Sequence, residues 1–207
     1  MKCIADLHIK DPGSALTHFI AFVGSAAAAA PLLMKAAAEP DASRLQIAAL
    51  AVFIVSMILL YAASTVYHTL DISEKVNRLL RKLDHMMIFI LIAGTYTPIC
   101  LIVLGNRSGF LLLALVCLIV LGDHTGWNLL GLVWGIALVG IIINALWITC
   151  PKWFSSLIYI SMGWVCVTAF REIISALPPA AFSWLLAGGI IYTVGGVIYA
   201  LKLPIFN

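Results

Sequence analysis

The chain has 207 residues, 63% of them hydrophobic and only 10% charged, with a formal net charge of +3. Soluble domains run at about 45–50% apolar and about 25% charged, so this composition excludes a soluble globular protein and places most of the chain in a bilayer. The small positive charge gives no footing for nucleic acid, and long apolar runs in place of an alternating pattern exclude a β-barrel.

Residues 1–14 are polar and form the expected cytoplasmic N-terminal segment, with no cleavable signal peptide. A helix crossing about 30 Å of hydrocarbon needs about 20 apolar residues. The first such run is 15–38, which is Ala-rich and softened near its end by Pro31 and Lys35. The second is 45–68. A basic loop, 69–82, follows with Lys75, Arg78, Arg81 and Lys82, and the third run is 83–104. Residues 105–126 form an irregular loop around a short apolar stretch, 109–122. At fourteen residues, or about 21 Å as a helix, that stretch is short for a span. Its end, Cys117-Leu-Ile-Val-Leu-Gly122, repeats Cys100-Leu-Ile-Val-Leu-Gly105, which suggests a local duplication. Runs 127–149, 154–177 and 181–201 complete the set, the last two parted by Pro178-Pro179. Glycines at 131, 135, 140, 188, 189, 195 and 196 favour close helix packing. The expected fold is all-α: a single integral membrane domain over 1–207, a polytopic bundle of six clear spans plus one short apolar segment.

Lys and Arg favour the cytoplasmic side. The basic loop, together with Lys2 and Lys10, puts the N-terminus inside. Beyond residue 105 the count ties between six and seven spans, and length favours six. None of the five cysteines forms a C-x-x-C pair, and they read as inert thiols.

Ionisable groups are costly in lipid and mark functional sites there. Ser64 and His68 are four apart, on one helix face, and Asp84 returns to the same membrane boundary after the basic loop. A neutral imidazole can bind zinc, a carboxylate can ligate the metal or hold its water, and a hydroxyl can bond that water. The plain alternative is a set of interfacial residues, with Asp84 complementing the dipole of a helix start. His85 points about 100° from Asp84 and reads as an interfacial donor. Thr17-His18 reads first as a polar contact to another helix and second as the mouth of the site. Asn144 reads as a helix–helix contact. Adjacent Arg171 and Glu172 face different ways and are not an ion pair.

Together these segments resemble the hemolysin III family, within the progestin and adipoQ receptor superfamily. The resemblance rests on Ala15-Leu-Thr-His18, Ser64-Thr-Val-Tyr-His68, Leu83-Asp84-His85, Ala93-Gly-Thr-Tyr-Thr-Pro98, Gly131-Leu-Val-Trp-Gly135, Met162-Gly-Trp164, Gly188-Gly-Ile-Ile-Tyr-Thr-Val-Gly195 and Tyr199-Ala-Leu-Lys202, in family order. It implies seven helices, a cytoplasmic N-terminus and a zinc site near that face. In it His68 is a metal ligand, Asp84 contacts the metal's water and Ser64 stands beside it, so Asp84 is expected to position or deprotonate that water and Ser64 to steady the oxyanion; the residues themselves add His85 and His18 as accessory candidates. The other two ligands in the family come from an H-x-x-x-H pair on a last helix, and no such pair occurs in this sequence. The expectation is therefore an incomplete site, zinc bound weakly or not at all, and an open face that favours a second copy as partner alongside membrane lipid.

The functional expectation is a zinc-dependent membrane hydrolase of lipid amides or esters, in a bacterial inner membrane. The alternative is a non-catalytic membrane protein, cytolytic and pore-forming or receptor-like. Polar residues clustered at span ends count against a wide aqueous pore.

Overall fold

The computed structural model describes residues 9–104, 125–146 and 152–201. No strand occurs among them. The helices are α1 (Pro12–Ala38), α2 (Arg44–Thr69), α3 (Glu74–Pro98), α4 (Thr125–Leu146), α5 (Lys152–Trp164), α6 (Phe170–Ala176) and α7 (Pro179–Leu201). A π-helical turn, Ile99–Val103, extends α3, and a 3₁₀ stretch, Val165–Ala169, joins α5 to α6. Six helical segments are long and apolar enough to cross a membrane: Pro12–Ala38, Arg44–Thr69, Glu74–Val103, Leu129–Leu146, Trp153–Ala176 and Pro179–Leu201. Each overlaps one apolar run of the sequence. The stretch 109–122 and the second copy of the repeat lie outside the described residues.

The chain divides into two compact units, residues 1–94 and 95–207. In the first, α1 packs along α2. Pro31 does not end α1, which runs on to Ala38. Spanning helices tolerate such a proline because other groups satisfy the freed carbonyl. The start of α2 is a reciprocal cap: Ser43 Oγ accepts from the Gln46 amide at 3.2 Å, and Gln46 Oε1 accepts from the Ser43 amide at 3.0 Å. Ser43→Ala should lower stability by about 1 kcal/mol. Unfolding in detergent micelles measures this, and no loss would show that the box is idle.

The basic stretch is not a loop. α3 begins at Glu74, nine residues before its first apolar run. Ser73 starts it, accepting the Val76 amide at its hydroxyl and the Asn77 amide at its carbonyl. Asn77 donates to Asp71, and Arg78 pairs with Glu74 one turn on. Hydropathy alone misses such a start, because these first turns are amphipathic and charged.

In the second unit α5 packs against α7, and α4 against the π-helical turn. The close approaches are at Gly163, where an added Cβ would meet Tyr192 at 3.0 Å, and Gly196, where it would meet Ile160 at 3.0 Å. Among the described residues Gly131, Gly188, Gly189 and Gly195 have no such neighbour within 4 Å, so close packing is not seen at those four. Trp134 donates to Thr97, and Trp164 donates to Thr193. Asn144 is buried, and its side-chain amide donates to the Gly140 carbonyl of its own helix. Arg171 and Glu172 are exposed near the end of their span.

Candidate functional site

Three apolar helices of the first unit bring polar side chains together. His18 lies two turns into α1, and Ser64 and His68 lie in the last turns of α2. Asp84 and His85 sit about three turns into α3. That depth corrects the reading of Asp84 as a helix-start residue, since a macrodipole acts only within the first turn. Asp84 is held instead by side chains.

His18 Nδ1 is 2.5 Å from Ser64 Oγ. Asp84 hydrogen-bonds to Ser64 and lies beside His85, whose Nδ1 is 3.4 Å from Asp84 Oδ2. His68 Nδ1 is 2.9 Å from Asp11 Oδ2. The His18 and His68 rings stand edge to face, centroids 5.3 Å apart, and the edge of His18 also meets Tyr61. Ser64 and Asp84 are only 3% and 8% exposed. Such burial of polar groups is costly unless they are hydrogen-bonded, and here they bond one another.

Proton counting orients the cluster. An ionised carboxylate only accepts, and a hydroxyl has one proton. Ser64 therefore donates to Asp84 and accepts from His18, which must carry its proton on Nδ1. His68 faces a carboxylate at Nδ1 and carries its proton there by the same rule. In the neutral rings both Nε2 atoms keep a lone pair.

The structure thus places Ser64, Asp84 and His18 in one hydrogen-bonded chain, with His68 against His18 and His85 against Asp84. His18 makes the helix-to-helix contact expected of it, and that contact is to Ser64 itself. Thr17 bonds the carbonyls of Gly13 and Ser14 in its own helix and takes no part. Asp11 belongs to the cluster yet fell in the polar N-terminal segment. A signal existed: Asp11 and His18 are seven apart, two turns along one face of an apolar helix. His8 and His124 lie outside the described residues.

The sequence matches the Haemolysin-III related family over residues 8–205. It is 37% identical over 199 residues to Hemolysin-3 of Bacillus cereus, covering 96% of this chain and 81% of the relative. It is 35% identical over 193 residues to the Hemolysin-3 homolog of Bacillus subtilis (strain 168), covering 93% and 81%. The chain belongs to the haemolysin III family. With six helices of spanning length among its described residues, it is an integral membrane protein.

Zinc is the metal implied by the family resemblance. Among the described residues no three His, Cys, Asp or Glu side chains are grouped to hold a metal ion. Asp84 is held by Ser64 and lies beside His85, and His68, bonded to Asp11 through Nδ1, offers only Nε2 as a donor. A catalytic zinc usually takes three protein ligands. The described residues of this haemolysin III protein do not fit that shell.

Proposed function

We propose that this haemolysin III family member is a membrane hydrolase acting on the amide or ester carbonyl of a lipid. The observation that supports it is the meeting of His18, Ser64, His68 and Asp84 from three apolar helices, with Ser64 and Asp84 buried. Polar groups at such depth are kept for chemistry or transport.

The chemistry needs a base that also serves as an acid. Nε2 of His18 or of His68 takes a proton from water as the water oxygen bonds to the carbonyl carbon. The C–N or C–O bond then breaks, and the same imidazolium returns the proton to the leaving amine or alcohol. Asp84, through Ser64, holds His18 in the tautomer that leaves Nε2 available. Zinc remains part of the proposal only with donors from outside the described residues. The count of Lys and Arg at 69–82 and in the first ten residues supports a cytoplasmic N-terminus, and the relatives' source supports a bacterial inner membrane.

The test uses the full chain in native-lipid nanodiscs, with acyl-amide and acyl-ester lipids, with added zinc and with a chelator. Fatty-acid release should fall about 10²- to 10⁴-fold in His68→Ala and in Ser64→Ala. Release no higher than the His68→Ala background under either condition overturns the hydrolase. The relatives' names favour one second reading, a lytic membrane protein. Dye leakage from liposomes without fatty-acid release would select it.

A further inference from the structure

We propose that Asp11 is the positioning residue for His68, fixing the proton on Nδ1 and turning Nε2 to the site. The inference deepens the hydrolase reading and rests on it for its catalytic arm alone.

Asp11 stands at the N-cap of α1, directly before Pro12. An Asp there ordinarily accepts a hydrogen bond from the second or third amide of its own helix. This one makes no such cap. Its Oδ2 instead lies 2.9 Å from His68 Nδ1, fifty-seven residues away. A local bond close at hand is given up for a long-range one.

The backbone of the same residue repeats the contact. The Asp11 amide donates to the His68 carbonyl at 2.9 Å. That carbonyl belongs to the last turn of α2, where carbonyls have no partner within the helix. Asp11 therefore grips His68 at both ends, main chain and ring. Lys10 extends the grip on either side: its amide donates to the Thr69 carbonyl at 3.4 Å, and its ammonium lies 3.7 Å over the Tyr67 ring. Two consecutive residues thus hold three consecutive residues, 67 to 69.

The ring contact has a chemical consequence that a mere clasp lacks. Which imidazole nitrogen carries the proton is set by the bond the other makes. A carboxylate on Nδ1 demands a proton there, so the lone pair is left on Nε2. It also stops ring rotation, because a flipped ring would lose the bond. His68 packs edge to face with His18, so a fixed His68 ring also steadies the His18 ring beside it.

The experiment is nitrogen-15 magnetic resonance of histidine-labelled full-length protein in lipid nanodiscs at one pH, with His68 assigned by its loss in His68→Gln. The wild type should show His68 protonated at Nδ1 and bare at Nε2. Asp11→Asn keeps the backbone bond and side-chain shape but can offer either donor or acceptor, so His68 should become a mixture of the two tautomers. Asp11→Glu should restore the wild-type form. A His68 protonated at Nε2 in the wild type, or a spectrum unchanged in Asp11→Asn, overturns the proposal. With hydrolysis as second readout, kcat should fall about 10- to 100-fold in Asp11→Asn at unchanged KM, and Asp11→Glu should recover it. Full turnover in Asp11→Asn also overturns the proposal. A wild type with no turnover at all fails the hydrolase reading, and the ring spectra then decide Asp11 by themselves.

Discussion

Gly94→Ala should destabilise the protein by about 1–3 kcal/mol, the cost of forcing an extra methyl group into a packed interior. Gly94 faces Ser56 of α2, which is 2% exposed. A Cβ at Gly94 would fall 2.7 Å from Ser56 Cβ, nearer still to Ser56 Oγ, and 3.5 Å from the Val52 carbonyl oxygen. Rotating the serine cannot relieve this, since its Cβ is fixed to the backbone. The hydroxyl is also tied to the Phe53 carbonyl at 2.7 Å. The two helices must part instead, beside the fully buried Phe89 and Ala93. Two companion variants identify the cause. Gly188→Ala meets no atom within 4 Å and should change stability by no more than about 0.5 kcal/mol. Ser56→Gly in the Gly94→Ala background removes both offending atoms and should recover most of the loss. Unfolding in detergent micelles measures all three, and Gly94→Ala as stable as the wild type would show that α2 and α3 do not meet closely here.

Gly94 also shows what hydropathy can and cannot convey. Its motif, Ala93-Gly-Thr-Tyr-Thr-Pro98, stood out in the sequence through its family resemblance alone. Of the glycines singled out as packing positions, Gly196 meets Ile160, while Gly131, Gly188, Gly189 and Gly195 meet no described atom within 4 Å. Close approach depends on which neighbour lies opposite, and a single helix does not encode that. The spans were legible for the opposite reason. Apolar length is a one-dimensional property, set by bilayer thickness, and six runs of the sequence match six helices. The start of α3 escaped because charged first turns carry helical signals of another kind, the Ser73 cap and the Glu74–Arg78 pair.

The candidate site was legible in part by the same logic. Ser64, His68 and Asp84 stood out as ionisable or polar groups at the boundary of apolar runs. His18 stood out less, because one polar residue early in a span is common. Its meeting with Ser64 is a tertiary fact about how α1 packs on α2. Asp11 was hidden by lying where polar residues are unremarkable. The Asp-Pro pair announces a helix start, yet nothing local says that its carboxylate turns away from its own helix.

Tyr96→Phe should cost about 2 kcal/mol through two backbone groups that depend on one hydroxyl. α5 breaks at Trp164 into the 3₁₀ stretch Val165–Ala169. A break at membrane depth frees main-chain groups where no water can satisfy them, and another part of the protein must do so. Tyr96 is that partner. It is 4% exposed, its hydroxyl donates to the Gly163 carbonyl at 2.7 Å, and its oxygen accepts from the Cys166 amide at 2.9 Å. The Cys166 thiol, 3.6 Å away and a weak donor, also reaches the Gly163 carbonyl. Interhelical side-chain bonds in membranes average only about 0.6 kcal/mol, with a maximum near 1.7, because the unbonded partners usually find substitutes. Here the stranded groups sit at a helix break and the thiol is a weak stand-in, so the loss should reach that maximum. Phenylalanine fills the same space, so packing is kept and the hydroxyl alone is tested. Two measurements decide it together. Unfolding should show the full loss, and amide exchange at Cys166 should accelerate in the folded state. A loss below about 0.6 kcal/mol, with Cys166 exchanging as slowly as before, would mean that the break in α5 holds itself without Tyr96.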